Sequence, residues 1–192
     1  MKPVERSEVL SIGDYEAIRA QFRARIIEEK RHRRFSLGDR AFGVFENHDT
    51  ALLQIQEMLR TERITREGAI LHEIETYNEL VPGDRELSCT ILVTVDDKEE
   101  RDRFLAQLQG VERTIAITVD GRRFPATWDE QRTEPDRASA VLYLKFPLDA
   151  EATNALRSGK AQAATISVDH PVYRAEATLD RSLLASLAED FR

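Results

Sequence analysis

His72, Glu75 and Glu79 follow one another at spacings of three and four. A helix through them would present one imidazole and two carboxylates on a single face. Those ligand types suit iron, manganese or zinc, and Glu57 on the preceding helical stretch would add a fourth donor. Metal sites made of carboxylates on packed helices ordinarily draw a Glu-x-x-His pair from two helices. Here one helix carries the only histidine and the order is reversed. The face also lies opposite the Ile70, Ile74 and Tyr77 stripe, so it should meet solvent unless the C-terminal part covers it. No cofactor is the first expectation, and a single metal ion on these residues is the alternative.

A second constellation is polar. Glu46, Asn47, Gln54, Gln56 and Asn78 fall within one short span and would line a pocket between helices and sheet. Buried polar groups must be paired. Gln56, among Leu52, Ile55 and Leu59, is therefore either a structural bridge or a specificity contact. A third is basic: Arg19, Arg23, Arg31 and Arg34 crowd one helix and its exit. They suit an acidic partner or a phosphate group, although cations near a helix C-terminus also complement its dipole.

Other chemistry is sparse. There is no glycine-rich phosphate loop and no Gly-x-Ser-x-Gly elbow. Cys89 lies in the apolar run Ser88 to Val93 and reads as an inert core thiol. His32 sits in the basic run, His48 in a turn and His170 before Pro171. Trp128, Tyr143, Phe124 and Tyr173 fall on strands, where aromatic residues read as core or cross-strand pairs.

The elements that must position these residues can be read in turn. Ser11 caps a helix carrying Tyr15, Ile18, Phe22 and Ile26 and running to about Arg33. Arg40 to Glu46 reads as a strand, and Asn47-His48-Asp49 as a turn. Ala51 to Ile55 then suits a second hairpin strand passing into a helix near Gln56, although Leu52, Ile55 and Leu59 also fit a helix. Thr65 caps a further helix that Pro82-Gly83 ends.

Beyond it an internal echo appears. Ile117-Thr118-Val119-Asp120, Phe124 and Ala126 recur as Ile166-Ser167-Val168-Asp169, Tyr173 and Ala175, with Gly110 falling on Gly159. Strand, helix, strand, strand is thus read twice, with Asp96-Asp97 and Asp149 as helix caps, Asp120-Gly121 as a hairpin turn, and Asp180 capping a last helix. The expected class is α+β. Residues 1–83 form a helical part with a short hairpin. Residues 84–192 form a duplicated β-α-β-β unit, giving a mainly antiparallel sheet or half-barrel packed against the first part.

Composition narrows the function. The 192 residues carry a formal charge of −7, which argues against a nucleic-acid partner. No run approaches the roughly 20 apolar residues of a membrane span. The start, Met1 to Arg6, lacks the apolar stretch of a signal peptide, so a cytoplasmic location is expected. One cysteine excludes a disulfide within the chain.

Several stretches together resemble one bacterial family, domain of unknown function 3501. They are Lys2-Pro3-Val4, Phe22 to Ile27, Phe45-Glu46-Asn47-His48-Asp49-Thr50, Gln54 to Arg60, His72 to Gly83, and Val168-Asp169-His170-Pro171-Val172-Tyr173. The resemblance spans nearly the whole chain. It implies an accessory role beside a rubrerythrin-like di-iron protein and an iron–sulfur oxidoreductase, and it brings no functional residues with it. Three functions are therefore expected, in order. The first is a non-catalytic accessory protein that binds a di-iron or iron–sulfur partner, with a homodimer also possible. The second is a metal-dependent enzyme or carrier using His72. The third is a small-molecule sensor with a pocket between the helical part and the sheet.

Overall fold

The computed structural model describes residues 1–132, 134 and 136–191. Among them are six α-helices and two antiparallel four-stranded sheets. The first sheet has the order β1 (Arg34–Ser36), β2 (Ala41–Glu46), β3 (Glu86–Val93) and β6 (Val141–Pro147). The second has the order β5 (Arg122–Pro125), β4 (Ile115–Val119), β7 (Ala164–His170) and β8 (Tyr173–Thr178). The helices are α1 (Ile12–Arg31), α2 (His48–Thr61), α3 (Glu67–Asn78), α4 (Lys98–Gln107), α5 (Ala150–Arg157) and α6 (Arg181–Glu189). None of them is long and apolar enough to cross a membrane.

Alternation along the strands builds the main core. Leu87, Cys89 and Ile91 of β3 stand opposite Phe146, Leu144 and Leu142 of β6. Ile115, Ile117 and Val119 of β4 stand opposite Val168, Ile166 and Ala164 of β7. Phe104, Leu105 and Leu108 around α4, Leu156 of α5, and Leu183 and Leu187 of α6 complete that core. A second, smaller core joins Val4 and Val9 to Ala51, Ile55 and Leu59 of α2, to Ile70 and Ile74 of α3, and to Val81. The α+β class and antiparallel pairing are as expected, arranged as two sheets with no closed barrel. Because β1 and β2 pair into the sheet of β3 and β6, the parts before and after Gly83 share one sheet.

Five helices begin where a short polar side chain accepts an N–H of the first turn. Ser11 accepts from Asp14 at 3.2 Å, Asn47 from Thr50 at 2.9 Å, and Asp97 from Glu100, Asp149 from Ala152 and Asp180 from Leu183, each at 2.8 Å. The element order β3-α4-β4-β5 recurs as β6-α5-β7-β8, and Ile117 pairs directly with Ile166. Duplication itself rests on the sequence echo.

Three local expectations are corrected. Ala51 to Ile55 is not a strand. Asn47 and Thr50 form a reciprocal cap, which starts α2 at His48 and turns Ala51, Ile55 and Leu59 inward at helical spacing. The hairpin is instead β1–β2, one element earlier, closed by Gly38 at φ +71°. Thr65 does not cap α3, whose cap position is Arg66 without a side-chain bond. Finally, β7 runs through His170, so Pro171-Val172 makes the last hairpin turn.

Candidate binding site

Glu57 does not join His72. Its carboxylate accepts from Arg19 Nε at 2.8 Å and Nη2 at 2.9 Å, from Arg23 Nη1 at 2.7 Å and from the Tyr15 hydroxyl at 2.6 Å. The Arg19 hydrogen bonds, with those from Tyr15 and the charge of Arg23, hold this carboxyl at about 2 against the opposing effect of burial. His72 and Glu75 lie exposed on α3, with Glu79 just beyond its end. Among the described residues no three His, Cys, Asp or Glu side chains converge to hold a metal ion.

The basic face of α1 is largely paired within the molecule. Besides Arg19 and Arg23, Arg25 meets Asp49 at 2.5 Å and Arg31 meets Glu28 at 3.2 Å. Arg34 stacks 5.0 Å above the Phe42 ring. Arg33, next to it in sequence, is 1% exposed and ties three elements together. Its guanidinium reaches Asp190 through two bonds of 2.5 and 3.0 Å, and donates to the Phe45 and Glu46 carbonyls and to Ser186.

The amides of the polar span hold the N-terminal segment. Gln56 accepts the Leu10 N–H at 2.6 Å and donates to the Leu10 carbonyl at 3.3 Å. Asn78 does the same to Val4, at 2.8 and 3.0 Å. Each replaces the backbone partner that a sheet would have supplied. Asn47 caps α2 and donates to Glu29, Gln54 is half-buried on α2, and buried Glu46 accepts from the Thr90 hydroxyl at 2.7 Å. None of these five residues lines the cavity beside β6.

A cavity does open at the edge strand β6, where the end of α3 approaches the sheet. Its volume is about 390 Å³. Leu80, Val141, Leu142 and Leu144 supply apolar wall, and Trp128 and Tyr143 supply aromatic wall. Trp128 lies past β5, which ends at Pro125; Ala126 still donates to the Ile115 carbonyl at 2.9 Å, and Thr127 bridges Lys145. The polar lining includes Ser88, Lys145 and Glu112. Lys145 Nζ is held by Glu86 at 2.8 Å. Glu112 is 4% exposed and its Oε2 has no hydrogen-bond partner. It sits in the tight turn Val111–Thr114, which Gly110 enters at φ +76°. No motif marks Glu112.

Cys89 is fully enclosed, and burial pushes its thiol well above the usual range, as expected of an inert core thiol.

Comparison with solved structures gives a match along the entire length. A crystal structure of a novel protein of unknown function from Burkholderia pseudomallei K96243 is 32% identical, covers 100% of both chains and has a TM-score of 0.92. No curated protein matches. The family model described as "Protein of unknown function (DUF3501)" matches residues 3–191. With both the sequence pattern and the full-length fold in agreement, the chain belongs to the DUF3501 family.

Proposed function

We propose that this chain acts by binding, as an accessory protein that holds a small organic molecule in the cavity beside β6. The observation that carries this reading is the cavity itself. It encloses about 390 Å³ behind apolar and aromatic walls, with one buried carboxylate oxygen left unpaired. Ligand pockets have this character: concave, of about 300–1,000 Å³, mostly apolar, with few polar groups. Docking of an acidic redox partner on α1 is the weaker reading, since Arg19 and Arg23 are engaged by Glu57 and Arg31 by Glu28.

Trp128 is the sole tryptophan, so its fluorescence reports on this cavity alone. A library of small organic fragments is to be titrated against the full chain and against Ser139→Phe, which puts a ring at a residue lining the cavity. The expected result is a set of fragments that shift Trp128 emission in the parent and compete with one another, with the response lost in Ser139→Phe. An absence of hits in the parent, or an unchanged response in the filled variant, overturns the reading.

A further inference from the structure

We infer that the occupant of this cavity is an organic cation, an amine or guanidine on an apolar body. The inference rests on the binding reading above and names its ligand class. Its anchor is Glu112. A carboxylate oxygen that is buried and unpaired is costly in a folded protein unless something meets it. Here the group lines a cavity, so the partner can come from outside the chain.

The surroundings select the sign of that partner. Among the described residues lining the cavity, Glu112 is the one with a buried oxygen that no other group of the chain meets, and a single lysine cation stands in the same lining. That cation, Lys145, is engaged by Glu86 at 2.8 Å, and so does not neutralise Glu112. The guanidinium of Arg113 stands 5.8 Å from the Trp128 ring centre and pairs with Glu130 at 3.6 Å. A positive nitrogen would thus meet the one carboxylate oxygen of the lining that the described residues leave unmet. Trp128 and Tyr143 add aromatic wall for the apolar body of such a ligand, the Trp128 ring already carrying Arg113. A bare metal ion fits poorly. Among the described residues no three ligating side chains converge, and most of the wall is apolar. An ammonium needs only one carboxylate and benefits from an apolar body behind it.

Three probes sharing one apolar body separate the possibilities: phenethylammonium, phenethyl alcohol and 3-phenylpropionate. Each is to be titrated into the full chain at neutral pH with Trp128 fluorescence and calorimetry, and then into Glu112→Gln. Phenethylammonium is expected to bind at least about tenfold more tightly than the alcohol, with the carboxylate weakest. Glu112→Gln is expected to bring the ammonium to within about threefold of the alcohol, the size of the remaining aromatic and long-range contribution. The same variant should unfold at an equal or higher temperature than the parent, because the unpaired charge is gone.

Comparable binding of the alcohol or the carboxylate overturns the cation class while leaving the binding reading intact. Failure of all three probes to move Trp128 overturns both. Cation selectivity that survives Glu112→Gln, or a lower melting temperature in that variant, overturns the role of Glu112, whose carboxylate would then be structural.

Discussion

Glu57 shows how one carboxylate can organise a helix that otherwise has little to bury. Only Tyr15 and Ile26 of α1 are buried, so the bonds from Tyr15, Arg19 and Arg23 to Glu57 do much of the work of fixing α1 on α2. The folded carboxyl sits near 2, below its ordinary 4.5. Its contribution is therefore complete above about 4.5 and is lost as pH falls towards 2. The arginines are 28% and 39% exposed, so solvent screening weakens the pairs. Glu57→Gln should lower stability at pH 7 by about 1–3 kcal/mol. Urea unfolding should give that difference at pH 7 and a smaller one at pH 3, and a gap independent of pH would contradict the assignment. Gly43 makes a different residue-scale statement. A Cβ there would strike the Phe35 ring, which lies across the strand pair. Gly43→Ala should destabilise by about 1–3 kcal/mol through overpacking, and Phe35→Leu in the same chain should restore part of it, as read from urea midpoints. Glu57 was legible in the sequence only as a candidate ligand, since spacing gives the face of a helix but not what packs on that face. Glu112 was not legible at all, because an unpaired oxygen is a property of the packed surroundings rather than of any local pattern.

At the scale of elements, what local chemistry determines was readable and what distant pairing determines was not. Ser11, Asp97, Asp149 and Asp180 announced their helices because a cap needs only the residues beside it. The run 51–55 misled because alternation over five residues is compatible with either period, and the Asn47–Thr50 cap decided it. Strand β1 was hidden because three residues after a long helix owe their extended form to pairing with β2. The joint between α1, β2 and α6 depends on Arg33, which sequence places in a solvated basic run and structure places at 1% exposure against Asp190. Removing one partner leaves a buried charge without its counterion, so Asp190→Ala should destabilise by about 3–5 kcal/mol. Replacing both, as Arg33→Met with Asp190→Leu, should recover part of that loss, because neither charge then remains buried. Calorimetric melting of the two variants tests this. A double variant less stable than Asp190→Ala would mean that the Phe45 and Glu46 carbonyls, rather than the ion pair, are the essential partners of Arg33.

The whole molecule is two sheets held along two seams, and the seams explain why the echo predicted pairing but not arrangement. Within the second sheet the echo maps onto an antiparallel pair, Ile117 opposite Ile166, with β5 and β8 outermost. The expected union of the duplicated strands stops there, because β1 and β2 occupy the far side of β3 and, among the described residues, Thr127 is the one bridge joining the sheets beside β6. It does so through backbone bonds with Lys145 of 2.7 and 2.8 Å. Across the molecule the second seam is a side chain. The Tyr173 hydroxyl of β8 donates to the Leu37 carbonyl at 2.5 Å and accepts the Arg40 N–H at 3.2 Å, at the β1–β2 turn. Gly38 is required there twice, by its φ of +71° and because a Cβ would meet that hydroxyl. Burial first raises the Tyr173 hydroxyl above its ordinary range, so it stays protonated and able to donate at neutral pH. Tyr173→Phe keeps the ring, which meets Phe104 edge-on at 5.6 Å, and removes only the two bonds. Its effect should be about 1–3 kcal/mol, the cost of leaving a turn carbonyl and N–H partly unsatisfied. Hydrogen exchange locates that effect. Faster exchange at the Arg40 amide and in the β1–β2 turn, with β4 and β7 unchanged, is expected if the seam is a local clasp. Uniform acceleration across both sheets would instead make this hydroxyl a determinant of the global fold, with Thr127 and Lys145 unable to hold the sheets together alone.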